Sequence, residues 1–468
     1  MEVIMLTYSF DDRGNDSLYE YLYKSIRKDI LSYKLSPGEK LPSKRALAKH
    51  LGISTVTVEN AYGQLMAEGY IYSVAKSGFF VSEMHPSAVQ SGQENLNKEP
   101  SAPSSRQIWA DFTSNSTRAE NFPFALWSRI MRKTISDDAE KLMVRSPSQG
   151  ASDLRRAIAE HLYQFRGMKV DPENIVVGAG TEYLYGIIIQ LLGRKLKYAV
   201  EDPGYSSIAR IYGVNDVSCV HIPMDSSGVD ISELKHSGAQ VLHISPSHHF
   251  PSGLVTPISR RYELLSWASA AEGRYIIEDD YDSEFRLWGK PIPALWSIDA
   301  AGKVIYVNTF SKSLSSTIRI SYMVLPPELM ARYREKLNFY SCTVPNFEQY
   351  TLARFISEGY FEKHINRMRN YYRGLRDSLI TAARTMSGCS IREEDSGLHF
   401  LLKIGSRLPD EEIVSRAYKK GIAVSTLSQY YHRREQAIEH ILVLNYSGMD
   451  PKVTAPAIKE LMTIITEE

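Results

Sequence analysis

Apolar residues in the first 84 positions follow the helical period three times, and two short β-rich runs come after them. The apolar helical positions are Leu18, Leu22, Ile26, Ile30 and Leu31, then Ala46, Leu47 and Leu51, and finally Val58, Ala61, Leu65 and Met66. Ser43 and Ser54 precede the second and third helices as N-cap residues, and Gly52 ends the second. Residues 70–73 and 78–81 predict the two strands of a hairpin. This order predicts a winged helix-turn-helix.

The rest of the chain alternates short, continuously apolar runs with helical stretches. The runs are residues 175–177, 198–200, 241–244, 275–277 and 304–307. Strands that are apolar throughout are covered on both faces of their sheet, so this pattern predicts an α/β fold. After about Pro327 the pattern becomes helical and then mixed, which is typical of a smaller terminal subdomain.

A polar segment separates the two regions. Residues 85–109 are rich in Ser, Pro, Gln and Asn and contain few large apolar side chains. Such a segment buries too little surface to offset the entropy of ordering its backbone. We therefore predict a winged helix-turn-helix domain at 1–84, a flexible linker at 85–109 and a larger α/β domain at 110–468.

Composition and charge exclude several classes of protein. The 468 residues include 55 Lys and Arg against 54 Asp and Glu, so a nucleic-acid partner must contact a local basic patch. The three cysteines are far apart, which disfavours a disulfide framework, and we expect no metal site. The N-terminus lacks the pattern of a secretory signal, and no apolar run reaches the ~20 residues of a membrane span. We expect a cytoplasmic protein with no membrane partner.

A local basic excess lies in the predicted helix-turn-helix, where residues 17–82 contain nine Lys or Arg and five Asp or Glu. The candidate DNA-binding residues are Lys44, Arg45, Ser54, Thr55, Thr57 and Lys76. The hydroxyl residues stand at the start of the third helix, where a recognition helix approaches base edges. Lys44 and Arg45 stand at the start of the preceding helix and suit contacts with DNA phosphates. Lys76, in the predicted hairpin, suits a contact in the minor groove. Charge alone is also explained by a basic surface that faces solvent and binds no DNA.

The order of residues in this region resembles the winged helix of the GntR-type bacterial transcription regulators. The resemblance is carried by LPSKRALA at 41–48, LGIS at 51–54, Thr57, Val58, Ala61, Tyr62, Leu65 and EGYI at 68–71. It implies binding to a double-stranded DNA operator. Glu59 departs from the pattern, because some relatives carry a basic residue there.

The α/β region contains a lysine surrounded by hydroxyl residues. Lys312 lies in VNTFSKSLSSTIR at 307–319, and such a lysine can form a Schiff base with a carbonyl compound while hydroxyl and Arg groups bind a phosphate. Asp279 lies in IIEDDY at 276–281, at the end of a predicted strand. A carboxylate beside the pyridine nitrogen of pyridoxal phosphate (PLP) keeps that nitrogen protonated. Each feature by itself has ordinary structural explanations.

Together these residues resemble the class I aminotransferases of fold type I, from about Ala110 to the C-terminus. The resemblance implies PLP as the cofactor and Lys312 as the residue that bonds to it. It also implies that Asp279 binds the ring nitrogen, Tyr281 the phenolate oxygen and Tyr205 the face of the ring. Around the phosphate it implies Arg319, Thr309, Ser311 and the turn that contains Gly180 and Thr181.

A GntR-type winged helix, a linker and an aminotransferase-like domain, in this order, resemble the MocR subfamily of regulators. Two positions depart from the aminotransferase pattern: Phe250 replaces an Asn, and Val443 stands in place of the arginine that binds the substrate carboxylate. A bidentate Arg–carboxylate pair is the usual grip on an amino acid, so its absence weakens transamination. Arg433 and Arg434 are alternative cations, although surface charge also explains them. We expect His399 to be structural.

Two functions follow from this resemblance. The first is a PLP-dependent transcription regulator whose aminotransferase-like domain senses a small molecule with little or no turnover. Its effector is then an amino compound that displaces Lys312, or PLP itself. The second is a working aminotransferase with an accessory DNA-binding domain. The DNA-binding pattern and the missing arginine favour the first, and we expect a homodimer because fold-type I sites lie near a dimer interface.

Overall fold

The computed structural model describes residues 5–10, 13–14, 16–83, 108–114, 116–287, 292–385, 388–392 and 397–466. The chain divides into two units, Met1–Ser104 and Ser105–Glu468. The linker predicted at 85–109 lies outside the described residues except for Ile108 and Trp109, and the three segment boundaries stay predictions. The Trp109 backbone N–H donates to the Gly421 carbonyl, so this residue is bonded to the second unit.

In its described residues, the first unit contains three helices and a three-stranded antiparallel sheet in the order β1-β3-β2. Its elements are α1 Leu18–Leu31, β1 Lys40–Leu41, α2 Lys44–Leu51, α3 Thr55–Ala67, β2 Ile71–Val74 and β3 Gly78–Val81. The predicted N-caps form, since the Ser43 and Ser54 side chains accept backbone N–H groups, and Gly52 ends α2 with φ +66°. This is a winged helix-turn-helix.

Most of the apolar positions predicted to face inward in this unit are buried or half-buried, and two are exposed. Leu22, Ile26 and Ile30 of α1 pack against α3. Leu31 is 40% exposed and Met66 is 37% exposed, so their predicted inward placement was wrong. Each directly follows a buried helical residue and is therefore rotated by about 100° away from the core-facing stripe.

The second unit has a central sheet of eight strands in the order β5-β12-β11-β10-β9-β6-β7-β8. These strands are β5 Ile175–Gly178, β6 Tyr198–Asp202, β7 Cys219–Asp225, β8 Gly228–Val229, β9 Val241–Ile244, β10 Tyr275–Asp279, β11 Val304–Thr309 and β12 Ser321–Val324. All neighbouring strands from β11 through β10, β9 and β6 to β7 pair in parallel. Strand β12 is antiparallel to both of its neighbours, β11 and β5.

Alternate residues of these strands belong to two different apolar clusters. Val177 and Tyr306 pack in one cluster, whereas Val176, Ile305 and Val307 pack in the other. The sheet is therefore buried on both faces, as its continuously apolar strands predict. The α/β fold is confirmed.

Helices cover the central sheet and continue into a smaller mixed region. The helices are α4 Phe124–Asp137, α5 Ala139–Met143, α6 Ser152–Arg166, α7 Thr181–Leu192, α8 Ser206–Val214, α9 Ile231–His236, α10 Ile258–Ser269, α11 Phe310–Ser313, α12 Pro327–Leu337, α13 Asn346–Ser357, α14 Tyr360–Arg384, α15 Asp410–Lys419 and α16 Thr454–Thr466. The other strands are β4 Ala110–Asp111, β13 Cys389–Arg392, β14 His399–Ile404, β15 Ile422–Ala423, β16 Ser425–Thr426 and β17 Ile441–Asn445. A second sheet has the order β13-β14-β17-β16, and β15 pairs with β4. Within the described part of the chain, every helix is too short or too polar to cross a bilayer.

Candidate functional site

The ends of four neighbouring strands meet at one edge of the central sheet. Asp279 ends β10 and Thr309 ends β11, while the register pairs Thr309 with Ser321 and Ser321 with Gly178. Ligands of α/β proteins bind at such an edge, beyond the carboxyl ends of the parallel strands. Here the edge opens onto a cavity of about 890 Å³.

The cavity brings together the residues predicted to form the cofactor site. Its lining includes Thr181, Tyr205, Asp279, Tyr281, Thr309, Ser311, Lys312 and Arg319. Gly180, the remaining predicted residue, directly precedes Thr181 at the start of α7. Positions separated by more than 130 residues of sequence therefore line one cavity.

Asp279 carries one bonded and one unbonded carboxylate oxygen. Tyr185 Oη donates to Asp279 Oδ2 at 2.7 Å, and His243 Nε2 lies 3.7 Å from the same oxygen. Oδ1 is buried and has no hydrogen-bond partner among the described residues. A buried acceptor without a donor is costly, and a protonated ring nitrogen would supply that donor.

Sequence reasoning missed the two residues that hold Asp279. Tyr185 lies four residues after Thr181 in α7, so the helical period alone places both on one face. His243 is the third residue of β9, and its Nδ1 lies 2.7 Å from Tyr212 Oη. Nothing in the local sequence of β9 distinguishes this histidine, because its role depends on strand order.

Burial changes the acid–base behaviour of Lys312. Loss of solvent lowers the pKa of its amine to about 8, and the nearby carboxylates Asp282 and Asp279 only partly oppose the shift. A larger fraction of the amine is therefore neutral near pH 7 than for an exposed lysine. The neutral amine is the form that attacks a carbonyl carbon.

Arg319 lies against the turn that begins α7. Gly180 has φ +97°, and a Cβ added there would come within 2.3 Å of Arg319 Nη2. The same Nη2 donates to Glu182 Oε2 at 3.0 Å. Only glycine leaves room for the guanidinium at this position.

Hydroxyl groups complete the polar end of the cavity. Thr309 Oγ1 accepts the Ser311 backbone N–H at 3.0 Å and the Ser321 hydroxyl at 2.8 Å, which fixes the loop that carries Lys312. An arginine, hydroxyl groups and the N-terminus of α7 together form the donor set that binds a phosphate group. With the open acceptor on Asp279, these residues fit PLP.

Aromatic residues also line the cavity. Tyr205 is 55% exposed, and its ring lies edge-on to Phe250 with centroids 6.1 Å apart. Burial raises the pKa of Tyr281 well above its usual value, so its hydroxyl stays protonated. This hydroxyl lies 3.3 Å from His248 Nδ1. His399 is buried with Nε2 3.1 Å from the Pro251 carbonyl oxygen, an arrangement that suits the structural role expected for it.

Val443 lies within an apolar cluster beside the cavity. Its side chain is 1% exposed and packs with Leu401, Leu427 and Ile441, and Phe250 covers the same cluster. Tyr430 also packs there and lines the cavity. The position that the resemblance to aminotransferases assigns to the carboxylate-binding arginine is therefore part of an apolar wall.

Because of this setting, Val443→Arg is expected to destabilise the protein. An uncompensated buried charge costs about 3–5 kcal/mol. Thermal unfolding should show a large decrease in Tm, whereas Val443→Ile should leave Tm within a few degrees of wild type. A Val443→Arg variant as stable as wild type would mean that its guanidinium reaches a polar site in the cavity.

The predicted DNA-contacting residues other than Lys76 lie at the starts of α2 and α3. Arg45 and Thr55 are exposed, and Lys76 occupies the β2–β3 turn with φ +61°. Ser54 and Thr57 are partly engaged in the helix cap, since the Thr57 backbone N–H donates to Ser54 Oγ at 3.1 Å. The exposed start of α3 therefore presents small polar groups, as a recognition helix does.

Two features of this surface were not foreseen. Lys44 Nζ lies 2.5 Å from Glu59 Oε1, so the acidic residue that departs from the GntR pattern pairs with a predicted phosphate-binding lysine. Val56 is 62% exposed at the second position of α3, with Asn60 exposed four residues later. An apolar side chain suits a thymine methyl group and an Asn suits adenine, and helical spacing places both on one face.

Comparison with known proteins agrees with both halves of the chain. Residues 18–81 match the family "Bacterial regulatory proteins, gntR family". Residues 109–461 match the family "Aminotransferase class I and II". The chain is 37% identical to the HTH-type transcriptional regulator YdeL of Bacillus subtilis, over 95% of this chain and 96% of that protein.

A further curated relative covers nearly the whole chain. The probable rhizopine catabolism regulatory protein MocR of Rhizobium meliloti is 30% identical over 96% of this chain and 94% of its own length. Among solved structures, the kynurenine aminotransferase of Pyrococcus horikoshii has a TM-score of 0.67 at 23% identity, covering 82% of this chain and 95% of that one. That likeness shows the fold. The chain belongs to the MocR-type HTH transcriptional regulators, which join a GntR winged helix to an aminotransferase class I/II domain.

Proposed function

We propose that this regulator binds PLP through Lys312 and uses the bound cofactor to sense a small molecule, which alters its binding to operator DNA. The observation that carries the proposal is the cavity that contains Lys312, Asp279 and Arg319 together. When bound, PLP supplies an aldehyde that amines can capture and a protonated ring that withdraws electrons. An amino compound, or PLP itself, is the proposed effector.

Each part of the cavity supports one part of this proposal. The open oxygen of Asp279 would accept a hydrogen bond from the protonated ring nitrogen, and the neutral fraction of Lys312 would supply the nucleophile. Arg319, beside Gly180, and the Thr309 hydroxyl suit the phosphate. The pyridoxine biosynthesis regulator PdxR of Corynebacterium glutamicum is 29% identical to this chain over 89% of its residues. The name of that relative connects it with pyridoxine, the vitamin to which PLP is related.

The test combines a spectrum with a DNA-binding measurement on the full chain. The protein should develop a visible absorbance band when PLP is added, and its affinity for an operator selected from randomised duplexes should differ with and without PLP or an added amine. No band after reconstitution would refute cofactor binding. A band with unchanged operator affinity under every ligand would refute sensing and leave an enzyme with an accessory DNA-binding domain.

We further propose that the regulator acts as a homodimer on paired half-sites. Two helix-turn-helix units bound to adjacent half-sites gain affinity through effective concentration. The segment Met1–Glu83 by itself should therefore bind operator more weakly than the full chain. Equal affinities would argue against a dimeric mode.

Arg45→Ala should weaken binding to all DNA sequences. Arg45 is exposed at the start of α2 and suits a phosphate contact, so its loss should reduce the slope of log K against log[salt] by about one. Thr55→Ala, at the start of α3, should instead change sequence preference. Fluorescence anisotropy across a salt series measures both effects. An unchanged affinity and salt slope for Arg45→Ala would show that α2 docks differently.

The rate of PLP capture should depend on pH through Lys312. Because burial lowers the pKa of this amine to about 8, the neutral fraction rises as pH increases through that value. Stopped-flow absorbance with the cofactor-free protein should therefore show a capture rate that rises between pH 7 and 9. A rate that is flat below pH 9 and rises only near the pKa of an exposed lysine would contradict this assignment.

A further inference from the structure

The cavity lining includes positively charged side chains that are not assigned to the cofactor. The lining includes four side chains with a fixed positive charge or an amine: Arg210, Lys312, Arg319 and Arg434. Lys312 is assigned to the cofactor, and Arg319 pairs with Glu182 beside the phosphate turn. Arg210 and Arg434 therefore remain as candidates for binding an effector.

Arg434 follows a loop that is bonded to the end of strand β6. The Gly204 backbone N–H donates to the Tyr430 carbonyl at 3.1 Å. The backbone N–H groups of His432 and Arg433 donate to the Asp202 carboxylate at 2.8 and 3.1 Å. These bonds hold the loop beside Tyr205, the residue assigned to the face of the cofactor ring.

The guanidinium of Arg434 is oriented but has no anionic partner among the residues that the structure describes. Its Nη1 donates to the Ser428 carbonyl at 3.0 Å, and no carboxylate forms an ion pair with it in the described ranges. Arg210 forms neither a hydrogen bond nor an ion pair with any residue that the structure describes. An oriented guanidinium loses less entropy on binding, which favours Arg434 over Arg210.

Arg433 provides a contrast within the same loop. Its Nη2 donates to the His221 carbonyl at 3.3 Å, and its Nη1 lies 3.9 Å from Glu233 Oε2. Unlike Arg434, Arg433 is absent from the cavity lining. The two neighbouring arginines therefore carry the same charge in different surroundings.

The surface near Arg434 suits the rest of a small ligand. Phe250 and Tyr430 have rings in edge-on contact, with centroids 5.1 Å apart, and both line the cavity. His221 and His432 stack with centroids 3.8 Å apart and also line it. Apolar rings suit a hydrocarbon chain, and imidazole N–H groups can add donors for an anion.

We propose that Arg434 binds the carboxylate of an amino carboxylate effector whose amine faces Lys312, with its hydrocarbon chain against Phe250 and Tyr430. This proposal rests on the proposed function, since it assumes that the cavity holds PLP and admits an amine. It assigns the carboxylate to a different element from the one used by aminotransferases, because Val443 belongs to the apolar wall.

The experiment compares ligands that differ only in a carboxylate. The full chain, loaded with PLP, is titrated with L-alanine, 3-aminopropanoate and ethylamine, and with 5-aminopentanoate and butylamine, while its visible spectrum is recorded. Wild type should bind at least one amino carboxylate about 10-fold more tightly than the amine that lacks the carboxylate. Arg434→Gln should abolish this preference while its affinity for the amines stays unchanged.

Arg433→Gln is the matched control, because it removes the same charge from the neighbouring residue and should keep the preference. Arg434→Lys tests whether a positive charge is sufficient for binding the carboxylate, and this variant should retain part of the preference for amino carboxylates. No preference in wild type, or an equal loss in both glutamine variants, would overturn the assignment of Arg434. Absence of the PLP band in wild type would instead refute the proposed function, so the two failures are distinguishable. A normal PLP band in Arg434→Gln verifies that the variant is folded.

Discussion

Lys312→Ala is expected to abolish covalent attachment of PLP while preserving the fold. The visible band should disappear, and borohydride treatment followed by peptide mass spectrometry should find no modified lysine. The amine of Lys312 is largely buried and loses solvation in the folded state, so its removal eliminates an unfavourable term and costs little packing. We therefore expect Tm to stay within a few degrees of wild type.

Lys336→Ala is the control for this experiment. Lys336 is exposed on α12 and does not line the cavity, so its loss should leave the band and the modified peptide unchanged. A borohydride-stable adduct on another lysine in the Lys312→Ala variant would show that a different residue carries the cofactor. Operator binding by this variant then reports whether DNA recognition depends on the cofactor.

Transamination of ordinary amino acids with 2-oxoglutarate should be orders of magnitude slower than in a dedicated aminotransferase. The missing charged pair at Val443 costs about 1.5–3 kcal/mol, or about one to two decades in rate. A carboxylate that binds elsewhere, as proposed for Arg434, places the Cα–H bond differently relative to the cofactor ring, and this loss of orientation reduces the rate further. The measurement is kcat/KM for keto-acid formation, beside a class I aminotransferase assayed under the same conditions.

The same assay separates the regulator from the enzyme. Slow or undetectable turnover, together with spectral changes on addition of amines, supports ligand sensing without catalysis. Rapid and saturable keto-acid production by wild type would instead favour an active aminotransferase that carries a DNA-binding domain. In that case Arg434→Gln should raise KM for the amino acid, because the enzyme would need a carboxylate contact that Val443 does not provide.

Local patterns were sufficient for the two folds. Helical periodicity, N-cap serines and a hairpin describe the winged helix-turn-helix, because each of these signals depends on residues a few positions apart. Continuously apolar strands predict a sheet covered on both faces, which the two clusters around Val176 and Val177 show directly. Leu31 and Met66 were misplaced because each directly follows a buried residue and so lies about 100° away from the core-facing stripe of its helix.

The sequence by itself determined the class of protein, the covalent candidate Lys312 and the residues around it, since they lie in short characteristic runs. Only the tertiary structure decided which distant groups act on them. Tyr185 and His243 contact Asp279 because α7 and β9 meet β10 at one sheet edge. Arg434 differs from Arg433 only in what surrounds each guanidinium. Burial, pairing and the pKa of an amine depend on neighbours in space, and spacing along the chain does not specify those neighbours.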